Sequence, residues 1–177
     1  MNLEQIRISA QTHIGVPMEQ SLARQYANEC LTHLCNIYPY TVMKKRRTEL
    51  NNVERDTPVE LPAECYMLYK VKHFGDTYGD YEVFGNEITF AHGGNFELEY
   101  FKRPAPLTVE SDIPDIPEAF YPCISLFVGA REKFRLFGEE DVDSIRLMRE
   151  FAETANLASD MRHKHGRRKR LKAPEWW

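Results

Sequence analysis

The stretch from Phe96 to Gly138, FELEYFKRPAPLTVESDIPDIPEAFYPCISLFVGAREKFRLFG, constrains the fold more than any other part of the chain. It passes from a two-residue apolar repeat to a proline-punctuated acidic link, and then to a long apolar run. Phe96-Glu97-Leu98-Glu99-Tyr100 alternates as a half-buried strand does, because successive strand side chains point to opposite faces. Pro104 and Pro106 end that strand, since proline cannot donate to a ladder. Asp115 with Glu118 three residues later predicts a helix start of the capping-box kind. Ile124, Leu126, Phe127, Val128 and Ala130 are apolar nearly all round, so the helix they form belongs at the centre of the molecule. Pro122 either kinks that helix or marks its first turn.

On either side of this stretch the period tells the same story. Leu3 to Ile14 predicts a short helix ended by Gly15. Pro17 to Ile37 predicts a longer one with Leu22, Tyr26, Ala27 or Cys30, Leu34 and Ile37 on the buried face. Cys65, Met67, Tyr69 and Val71 then alternate with Tyr66, Leu68, Lys70 and Lys72 as a strand. Gly85-Asn86 between Tyr81–Phe84 and Glu87–Phe90 is a two-residue hairpin turn, and Gly93-Gly94-Asn95 turns again. Residues 40–60 read as a strand or an extended arm. Connections this short exclude parallel crossovers and predict an antiparallel meander. After Gly138, residues 139–163 predict a last helix with Val142, Ile145, Met148, Phe151, Ala152, Ala155 and Ala158 in one stripe. Its acids come early and its bases late, as the helix dipole favours.

The fold class is therefore α+β: a helical bundle of N- and C-terminal helices (about 3–14, 17–37, 117–137 and 139–163) with a small antiparallel sheet inserted at about 41–103. A single domain over 1–161 is followed by an extended basic tail over 162–177. With 42% apolar and 12% aromatic residues among 177, the chain can bury a core. No apolar run reaches the ~20 residues of a membrane span, and the opening MNLEQIRISAQ has no signal-peptide pattern. The expectation is a soluble protein made inside a cell, its four cysteines reduced.

Tests for chemistry find no catalytic signature. Cys30, His33 and Cys35, with Cys65, are metal-ligand types, but positions 30 and 35 of a helix point in different directions and do not converge on zinc. Asp76 and Asp80 in GDTYGD lack the remaining ligands of a calcium loop. His163 and His165 sit among cations, which disfavours metal capture. No catalytic residue, metal or cofactor is expected.

Charge is more informative. The net charge of −4 hides a run, RHKHGRRKRLK over 162–172, that holds seven Lys or Arg and leaves −11 on the rest of the chain. Seven cations within eleven residues repel one another unless a negative surface receives them. The chain ends in Trp176-Trp177, and tryptophan and arginine dominate interface energies. A tail that orders in a partner groove explains both features. A second cluster, Lys44-Lys45-Arg46-Arg47, is either a solvated face or a contact for an interface or nucleic acid.

The order Leu61-Pro62, strand, glycine-rich hairpins, Glu99-Tyr100-Phe101, Pro104, Asp112-Ile113-Pro114 and Pro117-Glu118 leading to Ala130-Arg131 resembles the head-to-tail connector adaptors that join a tailed bacteriophage's portal to its tail. The likeness spans about residues 3–160. It implies a structural virion protein with no enzyme activity. Such a protein forms a homo-oligomeric ring of twelve copies beneath the portal protein and presents a platform to a tail or nozzle protein. DNA passes through its channel without sequence-specific binding, and no membrane is involved. The resemblance assigns portal docking to the terminal segment, here Arg167, Arg168, Lys169, Arg170 and Lys172 for charge and Trp176 with Trp177 for anchoring. Two readings from other classes remain open: a DNA-binding or packaging-associated module using both basic clusters, and an enzyme whose site is assembled from distant residues.

Overall fold

The structure is a computed structural model that describes residues 1–138 and 140–165. It is mixed α+β, with small antiparallel sheets, and it divides into two compact units. One comprises Met1–Val42 together with the chain from Ala105 onward, and the other Met43–Pro104.

In the helical unit, α1 (Leu3–Ile14) begins with a reciprocal cap. Asn2 Oδ1 accepts from the Gln5 amide at 2.9 Å, and the Asn2 amide donates to Gln5 Oε1 at 3.0 Å. These bonds satisfy donors that a helix start leaves orphaned. Leu3, Ile6, Ala10 and Ile14 form its buried face. α2 (Gln20–Ile37) starts three residues later than Pro17 predicts. Glu19 keeps an extended backbone as the cap residue, and the preceding Met18 is itself buried, which holds the link extended. A single turn, α3 (Pro39–Val42), follows where an arm or strand was expected.

The acidic link is bonded to its neighbours at several points. Asp112 Oδ2 accepts from the amides of Thr108 (2.6 Å) and Val109 (2.9 Å) and from the Thr108 hydroxyl. The Val109 and Thr108 amides, the largest causes in that order, hold its carboxyl below the usual range. The link's carbonyls at Asp112 and Glu110 accept from the free amides of Leu3 and Glu4, and Asn28 of α2 bonds both the amide and the carbonyl of Leu107. The helical turn begins two residues beyond the start expected at Asp115. The cap position falls on Pro117, whose side chain cannot accept, and only a 3₁₀ turn (Glu118–Phe120) follows. The helix proper, α4 (Tyr121–Phe137), carries Pro122 in its first turn and is buried without a break from Cys123 to Ala130. It packs against α1, α2 and α5 (Val142–His165).

α5 corrects the expected stripe. Its buried line is Ser144, Leu147, Phe151, Ala155, Ala158 and Ser159, whereas Val142 and Ile145 are exposed, as is Ala152. A pure hydropathy reading favoured Val142 and Ile145 over Ser144. Ser144 is buried because its hydroxyl and amide are both satisfied by Asp141 at the helix start.

In the other unit, β1 (Lys44–Val53), β3 (Cys65–His73), β4 (Asp76–Thr77) and β7 (Gly94–Lys102) form one sheet in the order β1-β7-β3-β4. β2 (Val59–Glu60), β5 (Tyr81–Phe84) and β6 (Glu87–Phe90) form a second in the order β2-β6-β5. Every pairing is antiparallel. The order is not that of a simple meander, because the last strand takes the centre. β7 is the strand with buried residues on both faces, and the charged β1 takes the edge, where lysine and arginine resist stray pairing.

β3 departs from plain alternation as well. Its pairing with β7 slips between Cys65 and Met67 and again between Leu68 and Lys70. These irregularities turn Leu68 toward the core and leave Tyr69 exposed, so Cys65, Met67, Tyr69 and Val71 do not share one face. The core is Val53, Leu61, Val71, Ile88, Phe90, Phe96, Leu98 and Tyr100.

Gly94 opens β7 at φ +149, and a β-carbon there would meet His73 Cε1 at 2.6 Å. His73 has little room to yield, since its ring stacks on Phe96 with centroids 4.6 Å apart and its Nδ1 lies 2.9 Å from the Asn95 carbonyl. Gly94→Ala is expected to cost about 1–2 kcal/mol in denaturant unfolding. A neutral result would mean that the ring moves freely.

Candidate functional site

The pairing register of the four-stranded sheet sets an alternating ladder of charge on one face. Lys45 lies opposite Phe101, Arg47 opposite Glu99 and Glu49 opposite Glu97 across β1–β7, while Lys70 pairs with Glu99 and Lys72 with Glu97 across β3–β7. Glu99 sits at the middle of the central strand with its side chain 6% exposed. Lys72 Nζ reaches it at 2.7 Å, Lys45 Nζ at 3.0 Å and an Arg47 terminal nitrogen at 3.3 Å. Lys72 also holds Glu97 at 2.8 Å. The ammonium of Lys45 rests 3.5 Å from the centroid of the Tyr69 ring, and this ring in turn meets Phe101 edge-on at 5.5 Å.

These bonds, first from Lys72 and then from Lys45, push the Glu99 carboxyl down to about 2, and the bonds to Glu97 and Glu99 raise the Lys72 ammonium. A carboxylate held this strongly ionised is a poor proton carrier near neutral pH. The ladder is fixed charge that orders three strands.

The cluster Lys44-Lys45-Arg46-Arg47 is therefore split by the strand period. Lys45 and Arg47 meet the ladder's acids. Lys44 and Arg46 project to the opposite face. There Glu64 is held below its usual range by Lys102, then by the Tyr100 hydroxyl, with Arg46 contributing further. The docking residues expected from the sequence, Arg167, Arg168, Lys169, Arg170, Lys172, Trp176 and Trp177, lie outside the described residues.

Two features of this unit escaped the sequence reading. Phe74 and Phe84 stand at hairpin tips, 85% and 88% exposed. Phe74 adopts φ +51, a left-handed backbone uncommon for a bulky residue. A Phe-Gly pair at each turn, Phe74-Gly75 and Phe84-Gly85, was the available signal. Phe74 is backed by the His73 ring at 4.3 Å and lines a shallow cleft of ≈ 240 Å³ with Lys72, Glu97, Asn95 and Asn51. Aromatic side chains are among the residue types enriched in interface cores.

The helical unit offers other surfaces. The α2 thiols of Cys30 and Cys35 are buried, as is Cys123 in α4. Burial, the largest cause, raises Cys30 well above the usual thiol range and Cys123 to about 11. A thiol held protonated in this way is a poor nucleophile. His33 is exposed on α2, its ring 6.0 Å from Phe127 and 5.7 Å from Phe151. Among the described residues no group of three His, Cys, Asp or Glu side chains converges to hold a metal ion. No described helix is long and apolar enough to cross a membrane.

Apolar side chains are left uncovered at both ends of α5. Leu136 and Phe137 near the end of α4, and Val142 and Ile145 near the start of α5, are 40%, 60%, 79% and 46% exposed. Leu157 and Met161, one turn apart, stand at 64% and 54%. No protein-family model and no curated protein matches the chain.

Proposed function

We propose that this protein is a head-to-tail adaptor of a tailed bacteriophage. In this reading it is a non-enzymatic virion component that forms a ring, dodecameric in the connectors it resembles, beneath the portal protein. The ring links the portal to a tail or nozzle protein and continues the DNA channel. The observation that carries the reading is the division of the chain. Helices from both ends form one unit around α4, and an antiparallel β unit is inserted between them, which supports the order of helices, sheet and helices expected from the sequence.

Surface chemistry supports assembly in the same direction. The exposed Phe74, Phe84, Phe137 and Val142 are uncovered in an isolated chain, as contact residues of a larger assembly are. Lys45, Arg47 and Lys72 are each paired with Glu97 or Glu99, so this sheet face does not present the unpaired positive stripe that holds phosphates. A lumen of that kind lets DNA slide.

The test is native mass spectrometry of the chain mixed with the portal of its phage, intact and lacking residues 166–177. One copy added per portal subunit, lost on truncation, is the expected result, with Arg167 to Lys172 and Trp176-Trp177 as the anchor. Salt-sensitive binding to duplex DNA with no portal association would instead favour a DNA-binding or packaging module.

A further inference from the structure

The longest of the described strands lies at a sheet edge. β1 pairs with β7 without interruption from Lys44 to Leu50, seven residues, and no other described strand borders its far side. In an antiparallel pair successive residues aim their N–H and C=O groups alternately toward the partner strand and away from it. About three of these seven residues therefore hold main-chain donors and acceptors outward. The regular edge stops at a defined place. The register slips between Leu50 and Val53, Asn52 turns to φ +55, and its amide already donates to Asn95 Oδ1 at 2.8 Å.

Sheet edges are commonly blunted by being short, bulged or charged. This one is long, and its protection is charge: Lys44, Lys45, Arg46 and Arg47 are all exposed. Cations along an edge turn away neutral and basic strands, and by the same physics they admit an acidic one. The sheet has positive charge to spare. Its four strands carry seven Lys or Arg against four Asp or Glu, a surplus of three, in a chain whose net charge is −4. Glu97 and Glu99 are shared among Lys45, Arg47 and Lys72. Arg47 meets them at 3.8 and 3.3 Å with its side chain 65% exposed, so its guanidinium keeps donors for another carboxylate.

The placing of these cations decides which kind of anion fits. The strand period sends Lys45 and Arg47 to one face of the sheet and Lys44 and Arg46 to the other. A nucleic-acid backbone running along one face would meet two of the four, and on the ladder face those two are already paired with Glu97 and Glu99. An added strand alternates its own side chains in the same way. Consecutive acids on it reach the cations of both faces while its main chain completes the ladder. A second copy of β1 fits less well. Parallel pairing in register would set the four cations against their equals, and antiparallel pairing centred on Thr48 matches only Arg47 with Glu49.

We infer that the free edge of β1 is a docking site for an extended acidic segment of another protein, which adds to the sheet as a strand with consecutive carboxylates beside Lys44–Arg47. This goes beyond the adaptor reading and does not depend on it.

The probe is an end-blocked synthetic peptide, Thr-Val-Glu-Glu-Glu-Glu-Val-Thr, titrated into the full-length chain. Residue-resolved hydrogen exchange is expected to slow at alternate amides between Lys44 and Leu50. Two N-methylated forms of the peptide separate a paired strand from a charged tether. Methyl groups on the first and third glutamates block one side of the peptide backbone, and those on the second and fourth block the other, with the charge unchanged. One form is expected to bind like the parent and the other about tenfold more weakly or worse. Lys44→Gln with Arg46→Gln, both at exposed positions and checked for fold by circular dichroism, is expected to weaken the parent peptide by about tenfold, as the loss of two cross-strand ion pairs.

Equal binding of the two N-methylated forms would overturn the proposal, because charge alone would then account for the attraction. So would the absence of binding, or binding without slowed exchange at β1, which would place the peptide on the basic run over 162–172. Duplex DNA that protects Lys44–Arg47 where the peptide does not would assign the edge to nucleic acid instead. Protection of β1 that rises with protein concentration in the absence of peptide would make a second copy the occupant.

Discussion

Phe90→Ala is expected to destabilise the protein by about 3–5 kcal/mol, the usual cost of deleting a fully buried phenylalanine. The ring of Phe90 has no exposed surface and stacks on Phe96 with centroids 3.9 Å apart and planes 16° from parallel. It also touches the Tyr78 ring at 6.3 Å and shares the core with Ile88 and Leu98. The truncated site is walled by strands of both sheets, whose backbones are hydrogen-bonded and cannot close on the cavity. Part of the cost is therefore the void itself. Phe84 lies on the same hairpin and provides the control. At 88% exposure it loses little on unfolding, so Phe84→Ala should change stability by less than about 0.5 kcal/mol. Denaturant unfolding of both variants decides the matter. Equal losses would mean that Phe84 is covered in solution and that its tip is not a free contact surface.

Local chemistry made some elements legible from sequence, and distant pairing concealed others. The α4 run is apolar on every side, a pattern that only a central helix can use, and the structure buries it from Cys123 to Ala130. The Gly85-Asn86 turn was legible because a positive φ is needed there, and Gly85 stands at φ +60. Position within the sheet was not legible. β7 takes the centre because Glu99 and Phe101 are buried on the face opposite the core, and no alternation pattern announces a buried glutamate. The slips in β3 exchange the faces of Leu68 and Tyr69, which hydropathy cannot foresee when both are apolar. The α5 stripe failed for a related reason, since a serine satisfied by Asp141 buries more readily than its polarity suggests. The cluster at residues 44–47 was visible as charge, but its acids are some fifty residues away in sequence and meet it only through β-pairing.

Glu99 gives the sharpest electrostatic test, because its effect has a sign and a pH window. Its carboxyl lies at about 2 in the folded chain against an ordinary 4.5. Between those values the unfolded chain holds more protons than the folded one, so stability rises with pH across that interval. The contribution of Glu99 is fully present above about 4.5 and is lost as pH falls toward 2. Glu99→Gln should therefore flatten the acid limb of the stability curve while leaving its alkaline limb in place. Glu99→Ala should cost about 2 kcal/mol at neutral pH, in the range for hydrogen bonds to a charged group. It should not reach the penalty for a wholly buried ion pair, because water can resolvate the cations it abandons. The side chains of Lys72, Lys45 and Arg47 are 18%, 40% and 65% exposed. Added salt separates this network from an ordinary surface pair. The loss caused by Glu99→Ala should persist at high ionic strength, since a carboxylate this shielded is screened weakly. The exposed Arg146–Glu150 pair on α5 should contribute little under any condition. If the acid limb of Glu99→Gln matches that of the unaltered chain, the three cations do not converge on Glu99 in solution. The sheet would then present free positive charge of the kind that holds phosphates.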